Sequence, residues 1–338
     1  MKKNIYFCCM VLVSIFLNSF LLDNSDPPIP TTTKELGEKL FFDPILSKDF
    51  TISCSSCHKP EFAFADNTAF SVGIGGVPTG RNTPTAMYLK DTKTFFWDGR
   101  AGSLEEQAMG PITHPAEMGL PLAEAVQRLK EDEFYYEAFL TVYNEEPDSA
   151  LLLNAIADFE RSLATYDSPY DKFLAGDDDA ISESAKRGAL LFLREQTCNT
   201  DACHAGALTG ADSLVNIGVY DDKDMGLYNI TKDPKDIGKF KSVHLRNIAL
   251  TAPYMHDGSK KTLRDVIVFY NEPSNFMDGN IHPQARNFTG KLSEQDIEDS
   301  IAFLEALTDQ RYLHLLDDLK EYHRTETPKE EETLKERK

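Results

Sequence analysis

The stretch SCSSCHKP, residues 53–60, holds two cysteines separated by two residues, with a histidine directly behind the second. Two thiols at this spacing can form thioethers with the two vinyl groups of one haem, and the adjacent histidine then reaches the iron. The pattern therefore predicts that Cys54 and Cys57 attach a c-type haem and that His58 is its proximal ligand.

A second stretch, TCNTDACHAG at residues 197–206, again places a histidine behind a pair of cysteines. Here four residues separate Cys198 from Cys203, so both thiols reach one haem only if the chain between them bulges. We interpret the two stretches as two copies of one site, the second stretched, with His204 as the proximal ligand of a second covalent haem.

Two other interpretations compete for these four cysteines. Two disulfides would fit an oxidising compartment, but Cys-x-x-Cys loops are strained and usually redox-active. A four-cysteine zinc site allows both spacers, yet zinc pairs normally lie about 12–20 residues apart and these lie much farther apart. Neither interpretation accounts for the histidine that follows each pair.

Composition indicates a globular, acidic protein. The chain has 338 residues, which is room for about two domains, and its hydrophobic content of 41% suffices for ordinary cores. Lys and Arg number 35 against 55 Asp and Glu, a net charge of −20. A nucleic-acid binder needs a basic face, so no nucleic-acid partner is expected. A basic protein partner fits this charge, as does a simply solvated acidic surface.

The first residues, 1–22, begin with Lys2 and Lys3 and continue as an apolar run that is short for a membrane span. We predict a cleaved signal peptide and export to the periplasm; an uncleaved anchor is the alternative. Removal takes Cys8 and Cys9 with it and changes the net charge from −20 to −22, because two lysines are lost.

Helical patterns recur along the chain, while strand patterns are sparse. Capping-box spacing marks two helix starts, at Thr262 with Asp265 and at Ser293 with Asp296. A further helix is predicted from an apolar stripe at spacings of four and three, formed by Leu152, Ile156, Phe159, Leu163 and Tyr166.

The predicted fold class is mainly α, with two cytochrome c-like haem domains, long loops and little sheet. Long Gly/Pro-rich loops such as SVGIGGVPTGRNTPT are typical of segments that wrap a cofactor. The predicted divisions are the signal peptide 1–22, an N-terminal haem domain 33–170, a C-terminal haem domain 180–320 and a charged disordered tail 325–338. A linker is expected within 167–185, where charge, glycine and proline cluster.

Four ordered segments resemble the bacterial di-haem cytochrome c peroxidase family, which includes MauG. They are LFFDPILSKDFTISCSSCHKPEFAFAD, GRNTPT, FFWDGRAGSLEEQAMGPITHPAEMG and LRNIALTAPYMHDGSKKTLRDVIVFYN. The resemblance covers roughly residues 33–310. It implies that peroxide reacts at the N-terminal haem of His58 and that the C-terminal haem of His204 relays electrons.

The same resemblance assigns further catalytic residues. Glu117 corresponds to the family's distal acid, which would take a proton from bound peroxide and return it to the leaving oxygen. Gln107 would orient Glu117 or the peroxide. Trp97, the single tryptophan of the chain, would lie between the haems as a stepping stone for electrons.

One calcium ion between the haems is also implied. Its ligands would be the side chain of Asn82 and the main-chain carbonyls of Thr251 and Pro253, with water completing the oxygen shell. His256 is expected near the haems without binding iron, and a hydrogen bond to a haem propionate is the preferred interpretation.

Two positions depart from the pattern of most family members. Ile74 stands sixteen residues after His58, where many members carry a histidine that closes the peroxidatic haem. Tyr270 stands fourteen residues after His256, where those members carry an iron-binding methionine. A tyrosine there resembles MauG and would ligate the second haem, favouring ferric iron. Alternatively, Tyr270 only packs and a methionine, Met255 or Met277, supplies the ligand.

Three functions follow from this resemblance as hypotheses. The first is an exported peroxidase that reduces hydrogen peroxide to water with electrons from a small cytochrome or copper protein. The second is a MauG-like oxidase that forms a bis-ferryl state and modifies a protein substrate. The third is a non-enzymatic di-haem electron carrier. A homodimer is one assembly that the resemblance allows.

Overall fold

The computed structural model describes residues 27–193, 203–204, 212–276, 281–286 and 290–315. The predicted signal peptide, the charged tail 325–338, Cys198 and Met277 lie outside these ranges, so what was predicted for them stays a prediction. Within the described ranges, no helix is both long and apolar enough to cross a membrane.

The described chain is mainly helical, as expected, and its strands form one small antiparallel sheet. The α-helices are α1 (Thr33–Phe42), α2 (Cys54–Cys57), α3 (Leu104–Thr113), α4 (Leu122–Glu131), α5 (Glu133–Tyr143), α6 (Ser149–Arg161), α7 (Pro169–Leu174), α8 (Glu183–Leu193), α9 (Tyr228–Thr231), α10 (Leu263–Asn271) and α11 (Glu294–Glu305). Strand β1 (Leu214–Asn216) pairs with β2 (Lys239–Lys241). Short 3-10 helices span Pro44–Leu46, Pro60–Phe62, Ile74–Gly76, Pro234–Asp236, Ile248–Leu250, Pro273–Phe276, Pro283–Arg286 and Gln310–Tyr312.

Both predicted capping boxes are confirmed. The Thr262 hydroxyl accepts from the Asp265 amide at 3.1 Å, and the Asp265 carboxylate accepts from the Thr262 amide at 2.9 Å. Ser293 and Asp296 make the same reciprocal pair at the start of α11. These bonds satisfy amide donors that the first helical turn leaves without partners, which fixes where α10 and α11 begin.

The apolar stripe predicted as one helix extends beyond the helix that forms. Helix α6 ends at Arg161, so Leu163 and Tyr166 lie past its end. Leu163 still packs into a core, whereas Tyr166 is 59% exposed.

Each half of the chain is held by a close helix crossing at a glycine. In the N-terminal half, a Cβ on Gly37 of α1 would lie 1.9 Å from the carbonyl oxygen of Ala155 in α6. In the C-terminal half, a Cβ on Gly188 of α8 would lie 1.9 Å from the carbonyl oxygen of Asp299 in α11. Only glycine allows backbones to approach so closely. Each half therefore packs two helices backbone to backbone at a glycine, and each half has its own apolar core.

The stretch 167–185, which is expected to contain a linker, contains a helix and packs against the C-terminal core. Helix α7 forms within it, Tyr170 is buried in the C-terminal core, and the Tyr170 amide donates to the Ala306 carbonyl at 3.0 Å. Asp171 forms a two-pronged ion pair with Arg246. The domain boundaries themselves stay a prediction.

Candidate active site

A cavity of about 940 Å³ is lined by residues from both halves of the chain. Every described residue predicted for the site lies on its wall: Cys54, Cys57, His58, Asn82, Trp97, Gln107, Glu117, Cys203, His204, Thr251, Pro253 and Tyr270. The folded chain therefore brings together groups that the sequence separates by more than two hundred positions.

The first cysteine motif forms a single helical turn. Ser53 caps α2, and the His58 amide donates to the Cys54 carbonyl at 2.9 Å, so the histidine closes the turn that carries the two thiols. The His58 Nδ1 atom bonds to the Phe64 carbonyl at 3.0 Å. Since the carbonyl can only accept, Nδ1–H donates this hydrogen bond, and Nε2 keeps its lone pair for a metal.

Both thiols of this motif line the cavity. Cys54 and Cys57 are not joined by a disulfide, and burial raises the pKa of each thiol. Redox-active pairs instead have lowered thiol pKa values. The raised pKa values therefore disfavour a redox-active disulfide.

The second motif repeats the histidine arrangement. His204 Nδ1 bonds to the Val243 carbonyl at 2.9 Å. Burial lowers the pKa of His204 to about 4 and also lowers that of His58, so both imidazoles are neutral and able to bind iron. The expected bulge between Cys198 and Cys203 falls outside the described residues.

Trp97 is fixed by hydrogen bonds to both halves. Its indole N–H donates to the Asn82 carbonyl at 2.8 Å, and its own carbonyl accepts from the Lys241 amide at 2.7 Å. Its ring meets His256 edge-on at 6.3 Å between centroids, and His256 in turn stacks on Phe240 at 3.6 Å. Trp97 thus sits where the two halves join.

Glu117 lies on the cavity wall, partly open to solvent, with 31% of its side chain exposed. Burial raises its pKa, while His114 and Arg100 oppose that increase. The His114 Nδ1 atom lies 3.5 Å from Glu117 Oε1. A carboxyl with a raised pKa is suited to act as a general acid and base. Gln107 lines the same cavity from helix α3.

Ile74 holds the backbone of Glu117 in place. The Ile74 amide donates to the Glu117 carbonyl at 2.9 Å, and a Cβ on Gly73 would lie 1.9 Å from the Ala116 carbonyl oxygen. The Ile74 side chain contacts Gly119. Because an aliphatic chain cannot bind iron, no ligand comes from position 74.

Tyr270 reaches the cavity from helix α10. It packs beside Phe269, with ring centroids 5.4 Å apart, and joins a small cluster that includes Met255. Met255 also lines the cavity. Among the predicted ligands of the second iron, the structure describes Tyr270 and Met255, and both lie at the cavity wall.

The predicted calcium ligands also meet at the cavity. Asn82 is buried, and its amide nitrogen donates to the carbonyls of Thr68 and Ala69, which leaves Oδ1 as its other polar atom. Within the described chain, no donor bonds to the carbonyl oxygens of Thr251 or Pro253. No group of three or more described His, Cys, Asp or Glu residues could hold a metal, so an ion here would rely on neutral oxygens.

Comparison with known proteins identifies the family of this chain. The family sequence model described as Di-haem cytochrome c peroxidase matches residues 31–179. Methylamine utilization protein MauG of Methylorubrum extorquens is 36% identical over 287 residues, which are 83% of this chain and 79% of that protein. The chain belongs to the di-haem cytochrome c peroxidase family.

Two further proteins are similar to this di-haem peroxidase family member. Cytochrome c peroxidase Ccp of Escherichia coli K12 is 36% identical over 291 residues, 82% of this chain; the matched region is only 59% of that protein. The crystal structure of a MauG-like protein associated with microbial copper homeostasis aligns with a TM-score of 0.74 and 32% identity, covering 88% of this chain and 96% of that one. The family resemblance and the helical fold class are thereby confirmed.

Membership in the di-haem peroxidase family implies an oxidoreductase with two c-type haems. The residues present fit that cofactor. The mostly apolar cavity carries a thiol pair with a neutral, oriented histidine at the first motif, and Cys203 with His204 at the second.

The structure also places groups at the cavity of this di-haem protein that sequence reasoning missed: His114, Glu160, Lys241, His244 and Arg246. Glu160 is buried, its Oε2 has no hydrogen-bond partner among the described residues, and burial raises its pKa to about 8. One signal could have found it. Glu160 follows Ile156 by four positions and therefore shares the buried face of α6.

Proposed function

We propose that the protein is an exported peroxidase that reduces hydrogen peroxide to water at the haem of His58. The observation that carries the proposal is Glu117, a carboxyl with a raised pKa on the wall of the cavity that His58 also lines. The overall reaction consumes one peroxide, two electrons and two protons and releases two waters.

When bound, the haem of His58 supplies the iron that binds peroxide and the electrons that reduce it. Glu117 takes the proton from the near oxygen of peroxide and returns it to the departing oxygen, which leaves as water. Its partial exposure lets it pass on from solvent the two protons that the remaining oxygen needs to leave as the second water. His114, 3.5 Å away, and Gln107 orient the carboxyl and the peroxide.

Electrons reach the site through the haem of His204 and Trp97. The hydrogen bonds that tie Trp97 to Asn82 and Lys241 support this role, because a fixed ring keeps the transfer distance constant. A calcium ion held by Asn82, Thr251 and Pro253 would brace the same junction. The donor is a small cytochrome or copper protein with a basic face, which the net charge of −20 would attract.

A second candidate function is the MauG-like oxidation of a protein substrate, which the sequence resemblance implies. Tyr270 favours it, because a tyrosine at this position resembles MauG. Ile74 favours it as well, because it stands where classical peroxidases carry the histidine that closes the first haem. A simple electron carrier is disfavoured, because a carrier needs no acid such as Glu117 beside an open haem.

Steady-state kinetics separate these functions. The holoprotein is mixed with peroxide and either a reduced small cytochrome, a reduced copper protein or a candidate protein substrate. Peroxide-dependent oxidation of a redox protein over many turnovers supports the peroxidase. Turnover only with a protein that becomes covalently modified overturns it in favour of the second function, and no peroxide consumption with any partner leaves an electron carrier.

A further inference from the structure

Three nitrogen-bearing side chains line the cavity: Lys241 at the end of strand β2, and His244 and Arg246 in the segment that follows it. The segment runs past the second haem site, because the Val243 carbonyl accepts the hydrogen bond from His204 Nδ1. His244 is 7% and Arg246 3% exposed, and the side chain of Lys241 is 12% exposed.

Protein partners satisfy only part of this set. Arg246 donates through both terminal nitrogens to the carboxylate of Asp171, but its buried Nε has no partner among the described residues. The Nε2 atom of His244 bonds to the Met87 carbonyl at 3.0 Å, while Nδ1, also buried, has no partner in the described chain. Buried polar atoms rarely stay without partners, so both atoms indicate a ligand.

The ammonium group of Lys241 also lacks a close partner of opposite charge. The nearest described carboxylate oxygen, Asp212 Oδ1, lies 3.8 Å from its Nζ, too far for a hydrogen bond. Burial lowers the pKa of Lys241 to about 8, which means that its surroundings do not stabilise the cation well. An anionic group in the cavity would stabilise the charged form of Lys241.

We propose that Lys241, His244 and Arg246 form the binding site for the propionate groups of the haem held by His204. A c-type haem is tied to the chain by its vinyl edge and its iron, and its two propionates remain as the only charged groups on the ring. Lys241 and the Arg246 Nε–H donate to these carboxylates. His244, whose Nε2–H already serves Met87, offers Nδ1 to a propionate proton or to a bridging water.

This inference rests on the family assignment of two haems and not on which reaction they catalyse. The test therefore uses the isolated holoprotein without turnover. Redox titration followed by optical and electron paramagnetic resonance spectra gives the midpoint potential of each haem, and resonance Raman spectra report the bending modes of the propionates.

Lys241→Gln is expected to lower the potential of the His204 haem, because loss of a nearby cation favours ferric iron, and to shift its propionate modes. Lys241→Arg should restore both. The matched control is Lys239→Gln, two residues earlier, whose lysine pairs with Asp236 and does not line the cavity. Equal potentials and unchanged Raman modes in Lys241→Gln and Lys239→Gln would overturn the proposal.

His244→Ser provides a second arm that removes the imidazole without removing a formal charge. A shift of the propionate modes without loss of covalent haem supports the site, and unchanged modes remove His244 from it. Titration of the wild-type protein with inorganic phosphate separates a free anion from a propionate. A potential that follows phosphate concentration would mean that the three residues bind a mobile anion, which contradicts the proposal.

Discussion

Replacing Glu160 by Gln should make the protein more stable at neutral pH, and the gain should depend on pH. The pKa of Glu160 is about 8 in the folded protein against an ordinary value of 4.5. A carboxyl whose folded pKa is raised stays protonated in the native state and ionises on unfolding, so it destabilises the fold increasingly as pH rises from 4.5 towards 8.

The size of the effect follows from that shift. Each pKa unit corresponds to about 1.4 kcal/mol, so between pH 5 and pH 7 the destabilisation by Glu160 should grow by about 2 to 3 kcal/mol. Gln keeps the size of the side chain but cannot ionise. The difference in free energy of unfolding between Glu160→Gln and the wild type should therefore rise by that amount over this range.

Urea unfolding of the holoprotein at pH 5, 6 and 7, followed by circular dichroism, measures this difference. Comparing the change with pH cancels any constant effect of the amide on packing. The control is Glu137→Gln, which removes an exposed acid of helix α5. A difference that stays flat from pH 5 to pH 7, as expected for the control, would show that Glu160 is ionised in the folded protein.

Three further predictions concern the haems and their ligands. Glu117→Gln should leave both haem spectra unchanged and slow the reaction with peroxide by about 10²–10⁴-fold in stopped-flow measurements; unchanged kinetics would remove Glu117 from the mechanism. Both haems should stay on the denatured chain, which intact mass checks, and a mass with fewer than two haems would contradict the attachment. In the oxidised protein the His58 haem should be high-spin and react with peroxide without prior reduction, while Tyr270→Phe should alter the low-spin signal of the His204 haem. Two low-spin haems, or a Tyr270→Phe spectrum like the wild type, would refute this assignment.

Residues whose chemistry is local could be predicted from the sequence. Cys54, Cys57 and His58 fall within five positions, because one covalent cofactor must reach all three, and any fold would keep them together. The capping boxes at Thr262 and Ser293 were predictable for the same reason, since each involves bonds across one helical turn.

Residues whose role depends on burial could not be predicted in this way. In the sequence nothing distinguishes Lys241, His244 and Arg246 from ordinary polar residues. The fold places them against the cavity, where His244 Nδ1 and Arg246 Nε lack described hydrogen-bond partners and Lys241 Nζ lacks a close carboxylate. Likewise, the apolar stripe of α6 gave no sign that the helix ends at Arg161, because Leu163 packs from the following loop.

The glycine crossings have a consequence for how the chain folds. Each joins positions far apart, 37 with 155 and 188 with 299, so each core is complete only after a loop of more than one hundred residues has closed. Loop closure of this length opposes folding by about 4 kcal/mol and slows it, since distant contacts must form first. The two loops follow one another without overlap. Either half can therefore close around its own haem motif before the other, and the hydrogen bond from the Lys241 amide to the Trp97 carbonyl forms only when the two halves meet.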